Sequence, residues 1–241
     1  MRALVLCAGY GTRLGALTTS TPKPLLEVGG RPILSHIIAN LVRQGIGEVA
    51  VNLHFQADQI VDELATRPVP GATVHVVRED VLLGTLGSAK NLESYLAAQG
   101  PFLLHYGDVL TDAHFGDLIT AHRDKGVPAA IAVHERAGSN SVAVIDGEGM
   151  VQRFLERPGI AERQSAGSSW TFSGIAVLSP AILETMPPGP CDLPRDLLPT
   201  LASQGLLAAV PLQGYRCAVD SPERLEEARL AAASGAYREP I

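Results

Sequence analysis

The sequence predicts an α/β protein, a Rossmann-like, mostly parallel sheet with helices on both faces, plus a small antiparallel part. Three observations carry that expectation. Short apolar runs alternate with helical periodicity through the first half. The first apolar run, Leu4-Val5-Leu6, leads directly into Gly9-Tyr10-Gly11, the strand-to-glycine-turn arrangement that brings backbone N–H groups against an anion. After about residue 135 the pattern changes to hairpin-like alternation, with the turn Asp146-Gly147-Glu148-Gly149 between two apolar segments.

Each element follows in order. Pro32 opens a helix that turns Ile33, Leu34, Ile37, Ile38, Leu41 and Val42 to one face and ends near Gly45. Val49–Leu53 is a strand and Gln56–Ala65 a short helix with Ile60, Val61 and Leu64 inward; Thr73–Val77 is the next strand. Residues 87–98 read as helix, Phe102–Tyr106 as a buried strand ending in Gly107-Asp108, 113–125 as helix and Ala129–His134 as strand. Ser141–Ile145 and Val151–Leu155 make the hairpin, and 156–169 a polar, lid-like loop. Trp170–Leu178 is a strand, Pro180–Thr185 a short helix and Pro187–Pro190 a break. Leu193–Gln204 is helical, Leu207–Leu212 a strand and Pro222–Ala233 a closing helix. No internal repeat or convincing linker divides the chain, so a single domain over 1–241 is expected.

Composition narrows the classes. The 241 residues are 46% hydrophobic and 18% charged, enough apolar material for a sizeable core. A net charge of −6 gives no general attraction to nucleic acid or anionic membrane, so an anionic ligand needs local cations. Cys7, Cys191 and Cys217 are widely spaced and odd in number, which suits reduced thiols in a cytoplasmic protein rather than a metal or disulfide framework. The apolar run after Met1-Arg2 stops at Gly9 without a cleavage-like pattern, so it is a first strand, and no stretch approaches bilayer length. The seven histidines show neither metal spacing nor a nucleophile partner; structural or surface roles fit them best.

The chemistry concentrates at the beginning. Arg13 offers a planar fork to phosphate and Lys23, in Thr21-Pro22-Lys23-Pro24, a compact point charge. No Walker string occurs, and Gly9-x-Gly11-x-x-Leu14 lacks the third glycine of the dinucleotide fingerprint. Asp108 follows Gly107 at the carboxyl end of an apolar strand, where ligands bind in open α/β sheets. It suits a Mg2+ ligand or a helix N-cap; Asp112 reads as the cap of the following helix.

Gly-x-Gly-Thr-Arg with Thr-Pro-Lys-Pro resembles the signature of sugar-1-phosphate nucleotidyltransferases. The resemblance extends from Arg2 to about Ala233 and is most specific over 6–34. It implies a nucleoside triphosphate and a sugar 1-phosphate as substrates, pyrophosphate as leaving group, Mg2+ as cofactor, and no protein nucleophile. Arg13 and Lys23 take the catalytic roles it implies, and Leu6, Ala8, Gly9, Gly11 and Thr12 cradle the nucleotide. Leu83-Gly84-Thr85-Leu86-Gly87 resembles the family's base-contacting segment, so Gly84, Thr85 and Gly87 join the nucleotide set; a helix start with glycines for close packing is the alternative. The family's Glu-Lys-Pro appears as Glu156-Arg157-Pro158, and Ser173-Gly174 matches its sugar-side glycine, which assigns Glu156, Arg157 and Gly174 to the sugar phosphate; an exposed charged pair and a β-bulge glycine are the alternatives. In this reading 1–135 is mainly nucleotide-binding and 136–241 mainly sugar-phosphate-binding.

The tail departs from the pattern. The family has Asp-x-Gly-Thr-Pro-Glu where this chain has Ala218-Val219-Asp220-Ser221-Pro222-Glu223. Ala218 therefore stands at the second metal ligand, and Asp220 reaches the metal from two residues later along an extended strand, or Asp220 or Ser221 caps the closing helix. The motif forms look closest to guanylyltransferases on mannose- or heptose-type 1-phosphates, with GTP as donor. Uridylyl transfer to a hexose 1-phosphate and a non-catalytic nucleotide-sugar-binding regulator are the alternatives. No hexapeptide repeats follow the catalytic part, and homo-oligomerisation is compatible with the sequence.

Overall fold

Strand Ala3–Leu6 is buried through its first three residues because its apolar run has no polar face to offer solvent. It runs parallel to Glu48–Leu53, with Leu6 opposite Asn52, and that strand runs parallel to Thr73–Arg78. The computed structural model describes residues 1–240 and divides them into two units. The first comprises 1–82, 105–114 and 213–240; the second, 83–104 and 115–212. Strand Phe102–Tyr106 gives its first three residues to the second unit and its last two to the first.

In the first unit that strand's end, Ala3–Leu6, Glu48–Leu53 and Thr73–Arg78 lie in that order. Helix Ile33–Arg43 buries nine of its eleven residues, starting after Pro32 as expected. Helix Ala57–Thr66 buries Ile60, but Val61 and Leu64 are only half-buried. They line an apolar recess of about 290 Å³ with Pro68, Val74 and Val76, so this amphipathic face is only partly covered. Helix Pro222–Ser234 has Ser221 as N-cap, its Oγ accepting from Arg224 N at 3.3 Å, with Pro222 in the first turn. In the second unit the order is Leu207–Pro211, Ala129–Glu135, Trp170–Leu178 and the start of Phe102–Tyr106. The first two are parallel, and Trp170–Leu178 is antiparallel to Ala129–Glu135. The hairpin forms from Ser141–Ile145 and Val151–Glu156, its turn held by Asp146 Oδ1 accepting from Glu148 N and Met150 N at 2.9 Å each.

Several local expectations need correction. Residues 156–169 are not a plain loop: Ile160–Ala166 is helical, because Glu162 reaches back to Gly159 N at 2.9 Å in a capping-box arrangement. The predicted helix over 87–98 begins earlier, at Gly84, and breaks after Asn91 before the short turn Glu93–Leu96. Leu193–Gln204 is a π turn, Leu193–Leu197, followed by helix Leu198–Ser203; Pro199 in the first helical turn marks the joint. Asp112 caps nothing. Its Oδ1 accepts from Tyr215 N at 2.7 Å and its Oδ2 from Arg238 N at 3.0 Å, while the following helix starts only at Gly116.

Among the described residues no helix is long and apolar enough to cross a membrane. His36, His105 and His122 are buried in structural roles. His105 Nδ1 donates to the Tyr106 carbonyl at 2.8 Å, and burial lowers its pKa to about 4, only partly opposed by that bond and by Asp108. The unfolded chain's histidine titrates near 6.5, so as pH falls the unfolded state takes up the proton first. Stability is fully present above that range and declines between about pH 6.5 and about 4. The His105 contribution lost between pH 7 and pH 5 is about 2 kcal/mol, and His36 and His122, also lowered by burial, act in the same direction. Urea unfolding across that range, compared with His105→Leu, should show the flatter pH dependence in the variant.

Candidate functional site

The first unit gathers four charged side chains from three distant segments. Lys23 Nζ donates to Asp108 Oδ2 at 2.5 Å, and Arg13 Nη1 to Asp220 Oδ2 at 2.8 Å. The Lys23 side chain is 14% exposed and Asp108 28%, whereas Arg13 is 68% exposed, so solvent screens the second pair much more than the first.

Local chemistry explains each placement. Leaving the first strand, the chain makes a glycine turn with Gly11 at φ +66°, a conformation side chains avoid. A Cβ on Gly11 would stand 3.1 Å from Thr18 Cγ2 and 3.3 Å from Lys23 Cβ, so the loop folds back on its own lysine. Thr18 Oγ1 donates to the Gly11 carbonyl at 3.0 Å, and Leu14 N donates to the same oxygen at 3.0 Å, closing the single turn Thr12–Leu14. Ala8 is buried, Leu6 half-buried, and Gly9, Thr12 and Arg13 are exposed. Pro22 holds extended backbone into the turn Lys23–Leu25.

Gly107 explains why Asp108 follows a glycine. Its N donates to the Leu6 carbonyl at 2.9 Å, and a Cβ there would lie 2.5 Å from that oxygen and 2.6 Å from Cys7 Sγ. Cys7 itself is inert: burial, then the Asp108 carboxylate, push its thiol pKa far up. Asp220 reaches Asp108 by backbone pairing. Strand Arg216–Ala218 runs antiparallel to Val109–Thr111, with Ala218 opposite Val109, and Val219 N donates to the Asp108 carbonyl at 2.8 Å. The expected extended route to Asp220 is corrected: the strand ends at Ala218, and Asp220 N donates to Ala218 O at 3.0 Å in a three-residue turn. The helix cap falls to Ser221, leaving the Asp220 carboxylate to Arg13. Among the described residues no group of three or more His, Cys, Asp or Glu side chains forms a metal centre. Asp108 and Asp220 are nevertheless hard oxygen donors, a set that suits a divalent cation sharing its remaining positions with phosphate oxygens.

The second unit assembles the other residues. A Cβ on Gly84 (φ +73°) would meet the Cys191 carbonyl oxygen at 2.6 Å, and one on Gly87 the Gly189 carbonyl oxygen at 2.5 Å. Leu86 N and Gly87 N donate to Cys191 O at 2.9 and 3.0 Å, and Thr85 N to Asp192 Oδ1 at 3.1 Å. The glycines thus allow close packing against 189–192, which also take the Thr85, Leu86 and Gly87 N–H groups. Glu156 ends the hairpin strand and Arg157 follows it, their side chains 3.6 Å apart. Burial pushes the Glu156 carboxyl up, opposed by Arg157 and raised further by Asp192. Arg157 holds φ +49°, unusual for a side-chain-bearing residue, with its N donating to Asn140 O at 2.5 Å. Gly174 (φ +83°) lies where the register between Trp170–Leu178 and Ala129–Glu135 shifts, a β-bulge. Asp192 and Arg195, 3.5 Å apart, belong to the Glu156 cluster and escaped the sequence reading. The signal for them was a charged, proline-bearing run, Asp192-Leu193-Pro194-Arg195-Asp196, inside an expected helix.

Fold and cluster define an α/β protein with cations and carboxylates paired at the carboxyl ends of its strands. The chain belongs to the nucleotidyl transferase family, whose model matches residues 2–188. It is 32% identical over 228 residues to mannose-1-phosphate guanyltransferase beta-B of Xenopus laevis, covering 92% of this chain and 62% of that protein. It is 33% identical over 226 residues to the mannose-1-phosphate guanylyltransferase catalytic subunit beta of Drosophila pseudoobscura pseudoobscura, covering 92% and 60%. The chain thus spans about six tenths of the length of these relatives. Among solved structures, HddC from Yersinia pseudotuberculosis superposes with a TM-score of 0.81 at 26% identity, covering 95% of this chain and 98% of that one.

Gly107→Ala should drive Leu6 and Gly107 apart and destabilise the protein by about 1–3 kcal/mol. Denaturant unfolding measures it, and an unchanged midpoint would contradict the close approach.

Proposed function

We propose that this chain transfers a guanylyl group from GTP to a mannose- or heptose-type 1-phosphate, releasing pyrophosphate. The observation that carries this reading is the double pairing of Lys23 with Asp108 and Arg13 with Asp220 around the glycine turn. Two cations placed for phosphate oxygens stand beside two carboxylates suited to a divalent cation, and none of the four is a nucleophile. The guanylyltransferase names of the relatives support GTP as donor and mannose 1-phosphate as acceptor.

The chemistry is an in-line displacement. An oxygen of the sugar phosphate forms a bond to the α-phosphorus of the triphosphate as the bond to the β-phosphate bridging oxygen breaks, and pyrophosphate departs with that electron pair. Such a reaction needs positioning and charge neutralisation. Gly9, Gly11 and Thr12 hold the triphosphate against backbone. Arg13 turns its guanidinium from Asp220 to the β- and γ-phosphates and stabilises the leaving group; Lys23 turns from Asp108 to the α-phosphate and the attacking phosphate. Asp108 and Asp220 would hold Mg2+, which when bound neutralises phosphate charge. In the second unit Glu156 accepts hydrogen bonds from sugar hydroxyls and Arg157 supplies charge to the sugar phosphate.

Arg13→Ala and Lys23→Ala should each lower turnover by about two orders of magnitude or more with little change in melting temperature. Pyrophosphate release, assayed with GTP, UTP, dTTP, CTP and ATP against hexose and heptose 1-phosphates, tests the reading. A preference for UTP would favour uridylyl transfer, and no release with any pair would favour a nucleotide-sugar-binding regulator, the reading that Ala218 at the second ligand position supports.

A further inference from the structure

The segment Asn52–Gln59 makes four polar contacts, at successive points, with the loop that carries Arg13. Asn52, buried at the end of its strand, accepts from Cys7 N through Oδ1 at 2.8 Å and donates through Nδ2 to Glu79 Oε1 at 3.0 Å. His54, on the same side of the extended chain, meets Tyr10 at the middle of the glycine turn, with Nε2 3.1 Å from the Tyr10 hydroxyl. Its Nδ1 lies 2.7 Å from the Glu79 backbone carbonyl, which can only accept, so Nδ1 carries a proton and Nε2 is the ring atom that meets Tyr10. Tyr10 also packs against His54 edge-on and against Phe55, ring centroids 5.5 Å apart in both cases. Beyond the turn, Gln56 Nε2 donates to Thr19 O and Gln59 Nε2 to Ser20 O, each at 2.9 Å.

Gln56 does this from φ +50°, left-handed backbone that a glutamine keeps only where its surroundings over-determine it. The contacts reach the beginning, middle and far arm of a loop that is otherwise largely exposed from Tyr10 to Ser20. Between them lies Arg13, whose ion pair with Asp220 is weakened by solvent.

We propose that Asn52, His54, Gln56 and Gln59 are positioning residues that set the shape of the phosphate-binding loop, acting on Arg13 and Gly11 through Tyr10, Thr19 and Ser20 without touching substrate. The proposal rests on the reading of this loop as the triphosphate cradle. A loop moored before ligand arrives gives up less conformational freedom when it binds, so mooring raises affinity for the polyphosphate part of the donor and leaves the sugar phosphate unaffected.

The test combines amide hydrogen exchange of the unliganded chain with calorimetric binding of inorganic pyrophosphate in Mg2+. Four variants are compared: Tyr10→Phe, Gln59→Ala, Gln59→Glu, and Gln56→Gly combined with Gln59→Ala. Glycine at 56 keeps the left-handed backbone while removing the amide. In the double variant exchange over residues 11–21 should quicken about tenfold or more, with strand Glu48–Leu53 unchanged, and pyrophosphate should bind about tenfold more weakly. Gln59→Glu keeps size and shape but cannot donate to the Ser20 carbonyl, so it should behave like Gln59→Ala; tight exchange in this variant would reduce Gln59 to packing and overturn the proposal. Unaltered exchange over 11–21 in the double variant, or quickened exchange with unchanged pyrophosphate affinity, would overturn it equally. Exchange is read without any substrate, so an absence of nucleotidyl transfer by the wild type would overturn the functional reading alone.

Discussion

The pairing of Val109–Thr111 with Arg216–Ala218 joins segments separated by about a hundred residues, and the acid–base cluster of the first unit depends on it. Three residues on each side make a short ladder, too short to offset the ordering of so long an intervening chain by backbone bonds alone. Side chains reinforce it at the Thr111–Arg216 end. Thr111 Oγ1 donates to Tyr215 O at 2.6 Å, Asp112 accepts from Tyr215 N, and buried Asn40 donates to the carbonyls of Thr111 and Ala113 at 3.2 Å. Because these polar groups are buried or nearly so, losing any one would strand its partner, so the tail is held in one register. That register puts Val219 N on the Asp108 carbonyl and leaves the next carboxylate to Arg13.

The electrostatics follow from that placement. A chain of net charge −6 cannot attract a polyphosphate by its overall field, and bringing two carboxylates together without compensation would raise the cost further. Lys23 and Arg13 remove the difficulty by pairing with the carboxylates one to one. The pair with the half-buried lysine is the firmer, and the exposed arginine is the more easily redirected. A site built this way holds its own charges in balance.

Much of this was legible in the chain. Continuous apolar runs located Ala3–Leu6 and Phe102–Tyr106, which are buried on both faces, and apolar periodicity located helix Ile33–Arg43 and the hairpin, where burial on one face leaves a period. The Gly-x-Gly turn and Gly107-Asp108 were legible for a related reason, since glycine marks close backbone approach. Three things were not. The tail strand Arg216–Ala218 is too short to show a period, so the turn that delivers Asp220 could not be foreseen. Asp112 looked like a cap because its partners, Tyr215 and Arg238, lie more than a hundred residues away. Gly84 and Gly87 mark a close backbone approach, and only the three-dimensional path of 189–192 shows that it is to that segment.

Arg157 carries a different consequence. Its backbone sits where glycine or asparagine is most at ease, and the proline that follows narrows its choices further. Glycine there would relax the chain but abolish the charge, while any other cation inherits the same strain. The position therefore sets comfort of the backbone against presence of the charge. A population of variants selected for thermal resilience alone would be drawn towards glycine or asparagine at 157, and one selected for what the charge does would be drawn back to arginine or lysine. Which residue survives under each regime would report, without any structure of a complex, what this corner of the fold is kept for.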